Sequence, residues 1–255
     1  VVGCQGPADL GCLQALDTLS FYTPSRTLRF APSLANNEYP LGLIRRGAWA
    51  KVPTIIGGQS CESCYGALSA LGLYTRDGVT QAQFRAALVR AGFSGAAGGI
   101  GPDTLEQWYS GRITSEGRWR TFARILSDSG HACSSALHAQ ALGSTHGAVW
   151  RYFFDYVPTG SLFPGSTHGA DESWLLGTQQ PHSQAEADLS ADMGHWWASL
   201  GASGDPNSAD GAPRWSRYAP VTAPLAMFMQ TPPALNTSID TVRAECEHWK
   251  PFLGW

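Results

Sequence analysis

The sequence predicts an α/β protein, and three observations carry that prediction. Two short apolar runs each end in a Gly- or Pro-containing turn. Neither run alternates polar with apolar residues, as expected of strands covered on both faces. Long stretches of helical periodicity fill the intervals around them.

The first run, Val52 to Ile56, is largely β-branched and stops at Gly57-Gly58. Thr80 to Gly92 begins with a capping residue and places Phe84, Leu88 and Ala91 on one face, the pattern of an amphipathic helix. Trp119, Phe122, Leu126, Cys133 and Leu137 continue as an apolar stripe along one long helix. The second run, Ala148 to Tyr156, is rich in aromatic residues and ends at Pro158-Thr159-Gly160. Leu189, Met193, Trp196 and Leu200 mark a helix over about residues 185–202, stopped by Gly201 to Gly204 with Pro206 beyond. Ile239, Val242, Cys246 and Trp249 predict a last helix. Two strands are too few for a sheet serving 255 residues, so further strands are expected upstream of Val1.

The bulk properties exclude several functions. Seventeen Lys and Arg against 20 Asp and Glu give a net charge of −3, with no basic run of the kind that binds nucleic acid. No apolar run approaches the roughly 20 residues of a membrane span. The Gly-rich stretch Gly95 to Gly101 lacks a following Gly-Lys-Ser/Thr, so it reads as a surface loop and not as a phosphate cradle. The chain opens on Val1-Val2, as a processed or partial polypeptide would. Six cysteines (Cys4, Cys12, Cys61, Cys64, Cys133 and Cys246) fit an oxidising compartment, but spacing alone leaves all pairings open. Asn236-Thr237-Ser238 is a glycosylation sequon and suits a secreted chain.

Catalytic groups of a parallel sheet gather beyond the C-terminal ends of its strands. That rule selects Glu62, which follows the first strand, and His168, which follows the second. If the strands are neighbours, the two loops meet. The carboxylate would then orient the imidazole that takes a proton from a nucleophile. His146 shares the pentapeptide Gly-Ser-Thr-His-Gly with His168, yet it precedes the strand and belongs at the wrong end of the sheet.

The segments around these residues resemble the type B carboxylesterase/cholinesterase family. His168-Gly169-Ala170-Asp171-Glu172 through Gly177 is similar to the family's His-Gly-x-Glu segment. Trp196 and Trp197, Gly204-Asp205-Pro206-Asn207 and Trp215-Ser216-Arg217-Tyr218 follow in family order. Ile55 to Glu62 stands where the family has its Gly-x-Asn-x-Asp-Glu-Gly turn, and Cys246 to Leu253 resembles its C-terminal end. Cys61 replaces the Asp before the acid and Ser63 the Gly after it.

The resemblance implies the C-terminal half of a single α/β-hydrolase domain, spanning residues 1–255. The family's Gly-x-Ser-x-Gly elbow and oxyanion loop would lie upstream, and no Gly-x-Ser-x-Gly occurs here. It implies a serine carboxylesterase, with Glu62 and His168 supplying two members of a Ser-Glu-His triad and this chain alone inactive. Tyr65 falls at a gorge-lining position, and Arg26 and Leu28 fall near the acyl pocket. An Arg there, in place of two aromatics, argues against a strict cholinesterase. The resemblance pairs Cys4 with Cys12 and Cys133 with Cys246. Cys61 and Cys64 have no counterpart; a local disulfide stiffening the acid turn is the preferred pairing, with upstream partners the alternative. Neither a cofactor nor a metal is implied. The implied partners are the N-terminal half of the domain and a small ester substrate, and the family fold allows a homodimer through the C-terminal helices. The competing reading is a neuroligin-like adhesion module on the same fold.

Overall fold

The computed structural model describes residues 10–15, 40–76, 78–208, 211–236 and 244–253. The chain divides into two units, the first ending at Pro40. Among its described residues the first holds helix α1 (Leu10–Ala15). After α2 (Pro40–Arg45) the second unit carries the sheet and its helices.

Four strands form one sheet in the order β1 (Thr54–Ile56), β2 (Val149–Phe154), β3 (Ala226–Met229) and β4 (Ala234–Asn236). β1 and β2 are parallel, in the register Thr54 to Val149 and Ile56 to Arg151. β2 and β3 are also parallel, and β4 closes antiparallel on β3. The expectation that the remaining strands all lie upstream is therefore corrected: two of them lie within the chain. Ala226-Met227-Phe228-Met229 contains no β-branched residue and sits between prolines, so propensity hides it; burial of all four residues makes it a strand.

Between β1 and β2 run α3 (Cys64–Leu71), α4 (Gln81–Arg90), α5 (Pro102–Trp108), α6 (Ser110–Ser127) and α7 (Cys133–Thr145). α6 and α7 are joined by a π-helical turn, Asp128–Ala132. The stripe that reads as one long helix therefore contains a widened turn, and α6 also kinks at Gly117. Gly117 has φ 79°, and a Cβ there would stand 2.0 Å from the Arg76 carbonyl oxygen, so no other residue fits the kink. After β2 come α8 (Ala170–Leu175) and α9 (Gln184–Ser203); α9 ends at Gly204, which has the left-handed conformation. The last helix, α10, comprises Cys246–Trp249; Ile239 and Val242 of its expected stripe lie outside the described residues.

The lack of alternation in β2 follows from its two covered faces. Trp150 and Phe154 pack with Trp174, Leu189, Met193 and Trp196 of α8 and α9. Val149 faces the other way, onto Ala139 and Leu142 of α7. A separate core lies among α3 to α7 and α10, with Phe84, Leu105, Trp119, Phe122 and Trp249 buried together. No helix among the described residues is long and apolar enough to cross a membrane.

α4 shows how locally some of this is encoded. The Thr80 hydroxyl accepts from Gln83 N, and the Gln83 side chain accepts from Thr80 N at 2.9 Å, a reciprocal capping box. Thr80→Ala is expected to cost about 1 kcal/mol, read as a lower denaturant midpoint with an unchanged slope.

Candidate active site

The acid and the imidazole meet because the turn after β1 keeps pairing beyond the end of the strand. Phe154 N donates to Gly58 O at 2.9 Å and Ser60 N donates to Phe154 O at 3.0 Å, so the acid turn runs alongside the end of β2. The pairing then passes to the loop that carries the histidine. Cys61 N donates to Ser166 O at 2.8 Å, and Ser166 N donates to the Ser60 hydroxyl at 2.9 Å. Cys61 and Thr167 form an isolated parallel bridge, which fixes the neighbours of Glu62 and His168 against each other.

Glu62 is buried, and both its carboxylate oxygens are engaged. Oε1 accepts from Gln59 N at 2.8 Å, and Oε2 lies 2.7 Å from His168 Nδ1. The His168 side chain is 68% exposed, and the ring faces an open concavity beyond the strand ends. Its pKa is raised above the ordinary histidine value, first by the hydrogen bond to Glu62 and then by that carboxylate's charge. Among the described residues Nε2 has no hydrogen-bond partner, so one ring nitrogen is held and the other is open. His146 caps the end of α7 ahead of β2, and its ring packs against Trp49; it lies at the opposite end of the strand from Glu62 and His168.

Four residues around this pair, Gln59, His131, Tyr152 and Asp171, are given no role by the sequence reading. Asp171, in the first turn of α8, accepts from the Tyr152 hydroxyl at 2.8 Å and from the Gln59 side-chain amide. Burial pushes the Tyr152 phenol far above its usual range, with Asp171 adding to the effect, so this hydroxyl stays a donor. Gln59 thereby touches both Glu62, through its backbone, and the helix that follows the histidine, through its side chain. The sequence signal for Asp171 is its place three residues after His168, at the Glu position of the His-Gly-x-Glu segment it resembles. His131 sits in the π-helical turn with its ring centroid 5.5 Å from that of His168. It lines the same concavity as Glu62, Gln59 and Tyr152.

Tyr65, one residue into α3, is exposed, and its ring packs edge-on against Phe163 at 5.0 Å. Both line a second hollow with Phe154, Tyr156 and Trp174. Arg26 and Leu28 lie outside the described residues, as does Cys4; Cys12 is disulfide-bonded. Cys61 is bonded to Cys64 and Cys133 to Cys246. Asn236 ends β4, while Thr237 and Ser238 of its sequon lie outside the described residues.

The carboxylesterase family model matches residues 11–249. The acetylcholinesterase of Gallus gallus is 27% identical to the chain over 136 residues, covering 51% of this chain and 18% of that protein. The matched stretch thus spans less than a fifth of the relative's length. A family match across nearly the whole chain, together with a parallel sheet that delivers a carboxylate and an imidazole to one spot, leads to one assignment: the chain belongs to the carboxylesterase family.

Proposed function

We propose that this chain supplies the acid and the base of a carboxylic-ester hydrolase, with Glu62 and His168 as two members of a Ser-Glu-His triad. The 2.7 Å contact between Glu62 Oε2 and His168 Nδ1 carries the reading, because it leaves Nε2 facing open space as a general base. A serine from the upstream half of the domain would present its hydroxyl to Nε2. His168 would take the hydroxyl proton as the oxygen attacks the ester carbonyl. The resulting imidazolium, stabilised by Glu62, would return the proton to the departing alcohol. Water would then release the acyl group by the same route. No step calls for a metal or a redox cofactor.

The need for an upstream half is supported by the sheet. Among the described residues β1 pairs only with β2, so its outer edge is free to take another parallel strand. Buried backbone groups left unpaired at such an edge are costly. Tyr65 and the aromatic hollow beside it would receive one end of the ester. Buried disulfides support an extracellular location, where glycosylation at Asn236 would follow. The adhesion reading requires neither the carboxylate nor the imidazole, and their pairing favours the esterase.

The test uses the complete gene product. It should hydrolyse p-nitrophenyl acetate, and a fluorophosphonate probe should label one serine in a peptide from outside residues 1–255. A folded, full-length protein that neither turns over the ester nor takes the label would sink the esterase reading in favour of the adhesion module.

A further inference from the structure

We propose that the Cys61–Cys64 disulfide is a positioning element of the esterase site, a clamp that ties both Glu62 and the His168 loop to the helical core. The inference rests on the esterase reading above. The bond spans three residues, so Glu62 lies inside the ring it closes, and Cys64 N donates to Cys61 O at 3.1 Å across the same turn. The two ends of the bond have different duties.

Cys61 is where the acid turn meets the histidine loop. It donates to Ser166 O and bridges Thr167, the residue before His168. Gly165 approaches it so closely that a Cβ at 165 would stand 2.9 Å from Cys61 Cβ and 2.8 Å from the Ser60 hydroxyl. Cys64 is the wholly buried first residue of α3, in the core with Ala67, Trp119 and Phe122. Between them, Ser63 N donates to the Ser127 hydroxyl of α6 at 3.0 Å, and Ser127 in turn donates to Ala123 O. One covalent bond therefore joins the dyad's two loops to α3 and, through it, to α6.

Glu62 depends on this clamp. Its hydrogen-bond donors are Gln59 N, three residues back in the same turn, and His168. With the bond removed, the shape of residues 59–64 rests on hydrogen bonds with no covalent tie across the turn, and the carboxylate loses its fixed angle to the imidazole. Misplacement of an orienting group by about 1 Å is enough to slow a positioned reaction on the order of a hundredfold.

The experiment compares two double variants of the full-length protein. Cys61→Ala/Cys64→Ala should lower kcat on p-nitrophenyl acetate roughly ten- to a hundredfold, with KM within about twofold. Its acid limb should move to lower pH, because His168 loses the fixed carboxylate that holds its proton. The other charged or titratable groups around His168 are Asp171 and Glu172 from α8, His131 from the π-helical turn and His138 of α7, which lines the same concavity; none of them lies inside the turn that the bond closes. Cys133→Ala/Cys246→Ala should lower the melting temperature; it loosens the turn that carries His131 but leaves in place the Glu62–His168 hydrogen bond that sets the acid limb, so the limb should not move. If alanine at the buried Cys64 position prevents folding, Cys61→Ser/Cys64→Val is read in the same way. Wild-type kcat and a wild-type acid limb in a folded Cys61/Cys64 variant would overturn the clamp and leave the esterase reading standing. A wild-type protein inert toward esters would overturn that reading instead.

Discussion

On the proposed esterase reading, replacing His168 with Gln should remove ester hydrolysis from the full-length protein, with kcat falling about 10⁴-fold or more. The fold should survive, because the ring is largely exposed and its one hydrogen bond among the described residues goes to Glu62. Glu62→Gln is the sharper variant. The amide oxygen can still accept from Gln59 N, so the turn keeps its shape. The amide nitrogen, however, would face Nδ1 and favour the tautomer with its proton on Nε2, which cannot act as a base. Activity should fall by a similar factor for that reason. The pH dependence gives an independent sign. Glu62 raises the His168 pKa, so wild-type activity should fade as pH drops through a value above the ordinary histidine value of about 6.5. Any residual activity of Glu62→Gln should show its acid limb at lower pH, since the hydrogen bond and the charge that held the proton are gone. Rate profiles from pH 5 to 9 decide the matter. Full activity in His168→Gln, or an acid limb that does not move in Glu62→Gln, would remove the dyad from the mechanism.

What could be read from the sequence was what chain order and composition encode. β1 and β2 are dense in β-branched or aromatic residues and end at glycine or proline, so they stand out. The dyad then follows from topology, because Glu62 and His168 lie in the loops that follow the two strands. β3 and β4 carry no such signature; they are strands because their neighbours bury and pair them. α8, six residues long, has too few turns for a periodic pattern to emerge. The shell around the dyad was hidden for a different reason. Gln59 meets Asp171 across 112 residues of sequence, and Tyr152 reaches it from β2. Nothing local marks such a contact. The π-helical turn widens the register between Ser127 and Cys133, which a 3.6-residue period cannot reveal, and this turn is what brings His131 to His168.

The largest stability loss should come from Cys133→Ala/Cys246→Ala. The two residues are 113 apart in sequence, and closing so long a loop in the unfolded chain accounts for roughly 4–5 kcal/mol in the chain-entropy model. A drop of about 10–20 °C in melting temperature corresponds to that loss at this chain length. The structure indicates where it would be felt. α10 has four residues, far too few to hold a helix by itself, so its place depends on anchors. One anchor is the disulfide. Another is a buried chain in which Trp249 Nε1 donates to the Tyr109 hydroxyl at 2.7 Å, and that hydroxyl donates to Asp128 Oδ2 at 2.8 Å. Arg112 adds a largely buried ion pair to Glu245 at 2.8 Å. Release of the C-terminal segment would open Tyr109 and Asp128 to water and loosen the π-helical turn that Asp128 begins. Hydrogen exchange should therefore rise in Asp128–Ala132 and Cys246–Trp249, while β1 and β2 stay protected. A melting temperature within about 3 °C of wild type would show that the Trp249–Tyr109–Asp128 chain, and not the covalent bond, holds the C-terminal helix.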